Sequence, residues 1–247
     1  MATRKLYFVK LSSSTCIYRM HTHDENDTRK KNFELPGSRA HYAPSLSFTI
    51  NHMLLEIEPH LQRHTISCEQ RLSIVTLQDT DTIELDAAEL QVKMVSAAAG
   101  RLDFRSLDDK LVVKLGRTLK ERSKIELYIS YTAKPRKGFY FVGPDKYYPE
   151  KHQEAWTQGE TTEARYWFPC IDHPRVKFSS EISVIVPIGF TAISNGILLK
   201  VEKQNKKQIY RWSETKPHPA YLTSVVVGEY IEMKDGKNLY YYVPPEK

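Results

Sequence analysis

Apolar and polar residues alternate along most of the chain from residue 45 onward, which is the period of β-strands that bury one face. The cleanest run predicts a strand that buries Ile125, Leu127, Ile129 and Tyr131. The same period predicts strands within residues 46–50, 53–57, 66–74, 90–94, 111–115 and 182–186. No stretch with the helical period exceeds about two turns. The pattern therefore predicts an all-β protein.

Three local features refine this prediction. The apolar phase reverses near Asn51 and His52, which predicts a β-bulge there. Residues 197–203 and 208–214 flank a polar segment and predict a hairpin with a longer loop at residues 204–207. Residues 221–227 are almost continuously apolar, which predicts a strand buried on both faces. The fold class we expect is a twisted antiparallel β-sandwich or open saddle of many short strands.

Composition narrows the possible classes of protein. The 247 residues, 40% hydrophobic and 27% charged, suit one ordinary globular β domain. No apolar run approaches the ~20 residues that cross a bilayer, so we expect no membrane partner. The net charge of +6 comes from dispersed basic residues, apart from residues 29–31 and 203–207, so we expect no nucleic-acid partner. The three cysteines are far apart and odd in number, which favours a cytoplasmic location.

The beginning of the chain differs from the rest. Residues 21–44 are polar and contain two prolines, as is typical of a linker or an arm. We expect residues 1–35 to be a disordered or poorly assigned N-terminal arm and residues 36–247 to form the β domain. Residues 1–23 contain basic residues and no acid, which leaves open both a transit peptide and a true start at Met20.

One polar segment, residues 156–174, interrupts the strand pattern. Its Gln-Gly-Glu-Thr-Thr-Glu run is unfavourable for a strand, and Pro169 and Pro174 prevent a continuous helix or central strand. We therefore predict an irregular segment set between strands. Ordered irregular segments on a β scaffold often carry function.

The segment also carries an ordered motif: Gln-x-Glu, then Ala-Arg, then Phe-Pro-Cys-x-Asp-x-Pro. Lys-Gly-Phe-Tyr-Phe at residues 137–141 precedes it, Ser-Asn-Gly at 194–196 and Pro-Ala-Tyr-Leu at 219–222 follow it, and a proline-bounded stretch at 36–44 begins the set. This set resembles the N-terminal domain of zinc aminopeptidases of the aminopeptidase N family. The resemblance covers residues 36–247.

The resemblance implies a substrate-binding role for two residues. Glu160 matches the family carboxylate that binds the free α-ammonium of a peptide substrate, and Gln158 matches the amide that lines the first side-chain pocket. Peptides with a free N-terminus are the implied partners. The alternative for both residues is that they hydrogen-bond the loop backbone.

Other residues of the segment are interpreted as structural. Asp172 suits a turn in which a carboxylate accepts backbone N–H bonds, and Arg165 is expected to pair with a carboxylate or cap carbonyls. Cys170 is expected to be a small buried hydrophobe. The aromatic residues of the segment are expected to pack in the core and between domains; they are Trp156, Tyr166, Trp167 and Phe168.

The catalytic machinery of such an enzyme is missing from this sequence. A zinc aminopeptidase needs His-Glu-x-x-His on a helix, and the nearest match, His60 to His64, lacks the glutamate and lies among predicted strands. The Gly-x-Met-Glu-Asn strand of the family is also absent. We therefore expect no catalytic or metal-binding residue in this chain, which alone should bind no cofactor and be inactive. Zn²⁺ and the catalytic domain, its expected partner, would lie downstream.

Two other functions remain open. The same fold occurs as a non-catalytic scaffold in a subunit associated with the TATA-binding general transcription factor, and a stand-alone β-sandwich binding module is a weaker option. Retention of the Gln-Gly-Glu sequence favours the enzyme, because a scaffold has no use for an ammonium-binding carboxylate.

Overall fold

The computed structural model describes residues 45–237 and 239–245. The predicted arm at residues 1–35, the stretch at 36–44 and Cys16 lie outside the described residues. Residues Ala43–Lys247 group into one compact unit. Within the described part of the chain there are seventeen strands and two short 3-10 helices, and no α-helix.

The strands are β1 Phe48–His60, β2 Thr65–Thr76, β3 Thr80–Asp86, β4 Leu90–Ala97, β5 Gly100–Arg101, β6 Asp103–Leu107, β7 Lys110–Leu119, β8 Lys124–Ala133, β9 Phe139–Val142, β10 Glu154–Thr157, β11 Phe178–Pro187, β12 Thr191–Ser194, β13 Ile197–Gln204, β14 Lys207–His218, β15 Val225–Gly228, β16 Ile231–Asp235 and β17 Leu239–Val243. The first 3-10 helix is Ala164–Tyr166, and the second is Ala220–Leu222.

The strands form four sheets. The largest has eight strands in the order β13-β14-β11-β1-β2-β8-β4-β5. A four-stranded sheet has the order β12-β15-β10-β9, a three-stranded sheet has the order β3-β7-β6, and β16 pairs with β17. Side chains from the eight-, four- and three-stranded sheets belong to one buried apolar cluster. The predicted all-β class, with sheets packed as layers, is confirmed.

Most of the predicted strands are confirmed in detail. Phe48 and Ile50 are buried in one phase and Met53 and Leu55 in the other, and the β1–β2 register shifts between Ile50 and His52. This is the predicted bulge, which lets one strand keep its apolar side chains on the core side across a phase change. Gln70 is a polar residue at a position of β2 where the alternation calls for an apolar one, and it too lies on the buried face.

Four details differ from the expectations. In the described part of the chain, all strand pairs are antiparallel except β1 with β11, which is parallel. The apolar run at 221–227 does not form one strand. Its first residues belong to the 3-10 helix Ala220–Leu222, and the strand is Val225–Gly228. The loop between β13 and β14 has two residues, with Asn205 at φ 56°, and is shorter than predicted. In β4 the register shifts after Val92, which leaves Met94 41% exposed.

Candidate substrate-binding loop

The polar segment begins at the end of β10, in the four-stranded sheet, and leads to β11, in the eight-stranded sheet. Gln158 and Glu160 are both exposed, whereas Gly159 between them is buried. The peptide bond from Glu160 to Thr161 is cis. No hydrogen bond or ion pair joins the side chain of Gln158 or Glu160 to another residue in the described ranges. The loop therefore presents an amide and a carboxylate to its surroundings from either side of a buried glycine.

Two glycines allow the loop to pack at backbone distance. A Cβ on Gly159 would lie 2.6 Å from the carbonyl oxygen and 2.8 Å from the Cα of Tyr221. Gly138 has φ +74°, and a Cβ there would overlap the carbonyl oxygen of Glu163. A residue with a side chain fits neither place without moving the backbone. These contacts bring together the Lys-Gly-Phe-Tyr-Phe, Gln-x-Glu and Pro-Ala-Tyr-Leu motifs.

Hydrogen bonds close the loop at both ends. The Gln158 N–H donates to the Gly138 carbonyl at 3.0 Å, and the Glu163 N–H donates to the Gly159 carbonyl at 2.9 Å. The Tyr140 hydroxyl donates to Glu163 Oε2 at 2.9 Å. Partial burial and this bond to a carboxylate raise the pKa of Tyr140. Glu163 is thus a loop anchor, whereas Glu160 is not held.

The opposite wall of the loop is the turn before β15. The Asn195 side chain donates to the Leu222 carbonyl at 3.0 Å and accepts from the Ser224 N–H at 2.6 Å. The Val225 N–H donates to Thr157 Oγ1 at 2.9 Å, directly before Gln158. The Ser-Asn-Gly motif therefore contributes to the same construction.

The second half of the segment is held by charged groups at the edge of the core. Asp172 Oδ2 accepts from the Arg165 N–H at 3.2 Å and from its Nε at 3.3 Å. Asp86 Oδ2 accepts from the Asp172 N–H at 2.8 Å, and Asp86 Oδ1 lies 2.8 Å from Lys110 Nζ. Burial raises the pKa of Asp172, against the opposing effect of Arg165. The structural roles predicted for Asp172 and Arg165 are confirmed.

The aromatic residues and the cysteine of the segment divide as follows. Trp167 and Phe168 are buried, and their rings meet edge to face at 4.4 Å. Trp156 is 39% exposed and stacks on Tyr140. Cys170 is buried, as expected for a small buried hydrophobe, and burial raises the pKa of its thiol well above the ordinary value.

The described residues contain no group of three His, Cys, Asp or Glu side chains that could hold a metal ion. His60 is the last residue of β1 and bonds Ser67, whereas His64 lies in the following turn and stacks on Phe141. The spacing of these two histidines therefore does not bring them to a common ligand position. The residues that the structure describes do not fit a zinc site.

The Peptidase M1 N-terminal domain family matches residues 39–222. The chain belongs to this family. Membership of this family accounts for both the all-β fold and the order of the motifs. The resemblance of the sequence to an M1 N-terminal domain is therefore confirmed at the level of the family.

Individual relatives are distant in sequence. The M1 N-terminal domain described here is 27% identical over 157 residues to a leucyl aminopeptidase of Saccharolobus solfataricus, covering 64% of this chain and 19% of that protein. Native yeast LTA4 hydrolase superposes with a TM-score of 0.69 at 22% identity, over 81% of this chain and 32% of the other. A mutant M1 zinc metallopeptidase of Deinococcus radiodurans, bound to a Tyr-Ser-Ala substrate, superposes with a TM-score of 0.66 at 20% identity. The match covers 81% of this chain and 48% of the other.

The chain spans 19% to 32% of the length of the first curated relatives that it matches. Those relatives are named as aminopeptidases or as leukotriene A-4 hydrolase. Among the described residues, no helix is both long and apolar enough to span a membrane.

Sequence reasoning missed several residues that build the loop. Asp86 is separated from Asp172 by 86 positions and carries no local signal. Tyr140 and Glu163 lie inside recognised motifs, yet only the fold pairs them. Asn195 belongs to the Ser-Asn-Gly motif, whose turn-like composition could have indicated a side chain that caps backbone groups.

Proposed function

We propose that this domain binds the N-terminus of a peptide substrate for a zinc aminopeptidase that removes N-terminal residues. The observation that carries the proposal is Glu160: an exposed carboxylate with no partner among the described residues, on a loop that is packed at backbone distance on both sides. The loop backbone that carries this carboxylate is fixed, so binding a cation has to order only the Glu160 side chain.

The α-ammonium of a peptide is the cation that fits this arrangement. A charge-assisted hydrogen bond from an ammonium to a carboxylate contributes ~1.5–3 kcal/mol. Gln158, two residues earlier and also exposed, would line the pocket for the first substrate side chain through its amide. Neither residue supplies the chemistry of hydrolysis.

The catalytic zinc belongs elsewhere in this proposal. Zn²⁺ would polarise the scissile carbonyl and activate water from a catalytic domain joined to this one, since the residues that the structure describes do not fit the metal. The structures and proteins that resemble this chain include M1 zinc metallopeptidases, which supports that assignment. We infer a cytoplasmic location only from the cysteine content.

A row of partly exposed side chains supports a catalytic domain as the partner. Tyr140, Trp156, Val226 and Ile193 are opposite one another across the four strands of the small sheet. Trp156 lies two residues before Gln158, so this apolar row leads toward the loop. A partly exposed apolar row that includes two aromatic residues suits burial against another domain.

The second candidate is a scaffold domain of the same fold, without substrate. It would use the same apolar row and would have no need of a free carboxylate at position 160. The two functions therefore differ in what Glu160 does, and its substitution separates them.

The test is Glu160→Gln in the full-length protein that carries this domain. The amide keeps the size of the side chain and removes the charge, so we expect kcat/KM for aminoacyl substrates to fall by roughly 10- to 100-fold. Inhibitors that lack a free amine should lose little affinity. Folding should be unchanged, because the side chain is exposed.

Glu150→Gln is a matched control, since it makes the same charge change on another exposed loop. An unchanged kcat/KM in Glu160→Gln, or a full-length protein with no aminopeptidase activity at all, would overturn the proposal and favour the scaffold.

A further inference from the structure

The turn at residues 222–224 forms one wall of the Glu160 loop. The backbone of Tyr221, just before it, occupies the space that a Cβ of Gly159 would need. Because the contact is backbone against backbone, a displacement of Tyr221 cannot be absorbed by a side-chain rotation. It has to move Gly159, and with it the residue that follows.

The turn relies on a side chain for its own hydrogen bonds. The second 3-10 helix supplies bonds from the Leu222 and Thr223 N–H groups only. The Asn195 side chain bonds two further backbone groups of the turn. It accepts from the Ser224 N–H at 2.6 Å and donates to the Leu222 carbonyl at 3.0 Å. One amide thus closes the turn in place of a backbone ladder.

Asn195 is itself presented from a fixed position. It follows β12 directly, and the next residue, Gly196, has φ +85° with no room for a Cβ beside the Ser213 carbonyl. Ser194, the preceding residue, donates from Oγ to the Ser224 carbonyl at 2.7 Å. The corner between β12 and β13 therefore holds the amide rigidly against the turn.

We propose that Asn195 is a positioning residue for the Glu160 carboxylate, acting through the turn at residues 222–224 and the contact of Tyr221 with Gly159. This inference rests on the proposed function. Asn195 does not contact substrate; it sets the geometry of the loop that does.

The first test is Asn195→Ala in the full-length protein. The substitution leaves the Ser224 N–H and the Leu222 carbonyl without their partner, so the turn and Gly159 can shift together. We expect kcat/KM for substrates with a free amine to fall about three- to tenfold, which is the usual net contribution of one hydrogen bond, because the two lost bonds act on the carboxylate only indirectly, through the turn. Affinity for inhibitors without an amine should stay the same. Asn195→Asp keeps the acceptor for the Ser224 N–H but places a carboxylate oxygen against the Leu222 carbonyl, so it should not restore the original kcat/KM.

The decisive measurement is a double-mutant cycle with Glu160→Gln. If Asn195 acts through Glu160, Asn195→Ala should change kcat/KM less than about twofold in the Glu160→Gln background. If the two losses multiply in full, Asn195 supports the enzyme in general and the inference is overturned. Amide hydrogen exchange of residues 158–163 should also increase in Asn195→Ala, since the Glu163 N–H bond to Gly159 depends on the same wall.

Gln208→Ala is the matched control, because Gln208 also caps a turn through one amide, accepting from the Gly189 N–H at 3.3 Å, away from the loop. It should leave kcat/KM unchanged. The outcomes also distinguish the inference from the proposed function. No effect of Glu160→Gln refutes the function, whereas a strong effect of Glu160→Gln with none of Asn195→Ala refutes only the positioning role.

Discussion

At the scale of single residues, the packing of the loop depends on two glycines, which have no side chain. Gly159 and Gly138 allow the backbones of Tyr221 and Glu163 to approach at distances that a Cβ would prevent. Gly138 also needs φ +74°, a conformation that residues with a side chain rarely adopt. In the sequence Gln-Gly-Glu, the first and last residues therefore expose their side chains, and the glycine between them packs against the backbone of Tyr221.

Gly159→Ala tests this packing. The new methyl group would lie 2.6 Å from the Tyr221 carbonyl oxygen, so the backbone must move, and we expect the free energy of unfolding to fall by about 1–3 kcal/mol. Denaturant unfolding of the chain measures it. Gly143→Ala is the control, because its Cβ would make an ordinary 3.6 Å contact with Gln153, and it should change stability by less than about 0.5 kcal/mol. Equal effects of the two substitutions would contradict the packing argument.

At the scale of elements, an irregular segment is tied to regular ones by a few polar groups. The last residue of β3, Asp86, exchanges backbone hydrogen bonds with Cys170 at 2.7 and 3.0 Å. Its carboxylate also accepts from the Asp172 N–H and pairs with Lys110. These bonds around Asp86 fix the irregular segment at one point, whereas a strand is fixed by hydrogen bonds along its whole length.

Asp86→Ala should destabilise the domain by about 2–4 kcal/mol, because it leaves the buried Asp172 N–H unpaired and removes a carboxylate from beside Arg165 and Lys110. The midpoint of thermal or denaturant unfolding checks this. Asp79→Ala removes a similarly short ion pair, 2.7 Å from Lys120, at an exposed position and should leave the midpoint unchanged. A shift as large in Asp79→Ala would mean that burial is not the cause.

At the scale of the whole molecule, one apolar cluster unites the eight-, four- and three-stranded sheets, and the loop lies where the four-stranded sheet ends. Among the described residues, no cluster of His, Cys, Asp or Glu that could hold a metal ion accompanies this loop. If Glu160 selects free N-termini as proposed, the groups that hydrolyse the peptide must come from another part of the protein.

The isolated chain should accordingly bind no stoichiometric zinc and release no amino acid from aminoacyl-anilide substrates. The physical reason is that its histidines and acids do not converge on a common point in the described part of the structure. Atomic absorption and a fluorogenic or chromogenic aminopeptidase assay measure both properties. Tight equimolar zinc would contradict the prediction, and its loss in His60→Ala or His64→Ala would locate the site that the spacing alone suggested.

Much of the fold could be predicted from local pattern. The strands around Ile129 and Val113 are where period-two alternation predicted them, and the bulge after Ile50 is where the phase reversed. The run at residues 221–227 was interpreted wrongly, because a continuous apolar sequence suits a buried 3-10 turn as well as a buried strand. The placement of Glu160 and Gln158 on a presented loop came from the motif, and their role stays a prediction.

The sequence by itself determined most of the residues that face the core, because the alternation of apolar residues is a local property that each strand carries along its length; Met94, beyond the register shift in β4, is an exception. It also determined the family, through motifs whose order survives. Only the tertiary structure decided that β1 and β11 pair in parallel, that Asp86 meets Asp172, and that Tyr221 closes on Gly159. These contacts join residues that are from 62 to more than 100 positions apart in the sequence, and their geometry depends on how whole sheets stack, which no local pattern encodes.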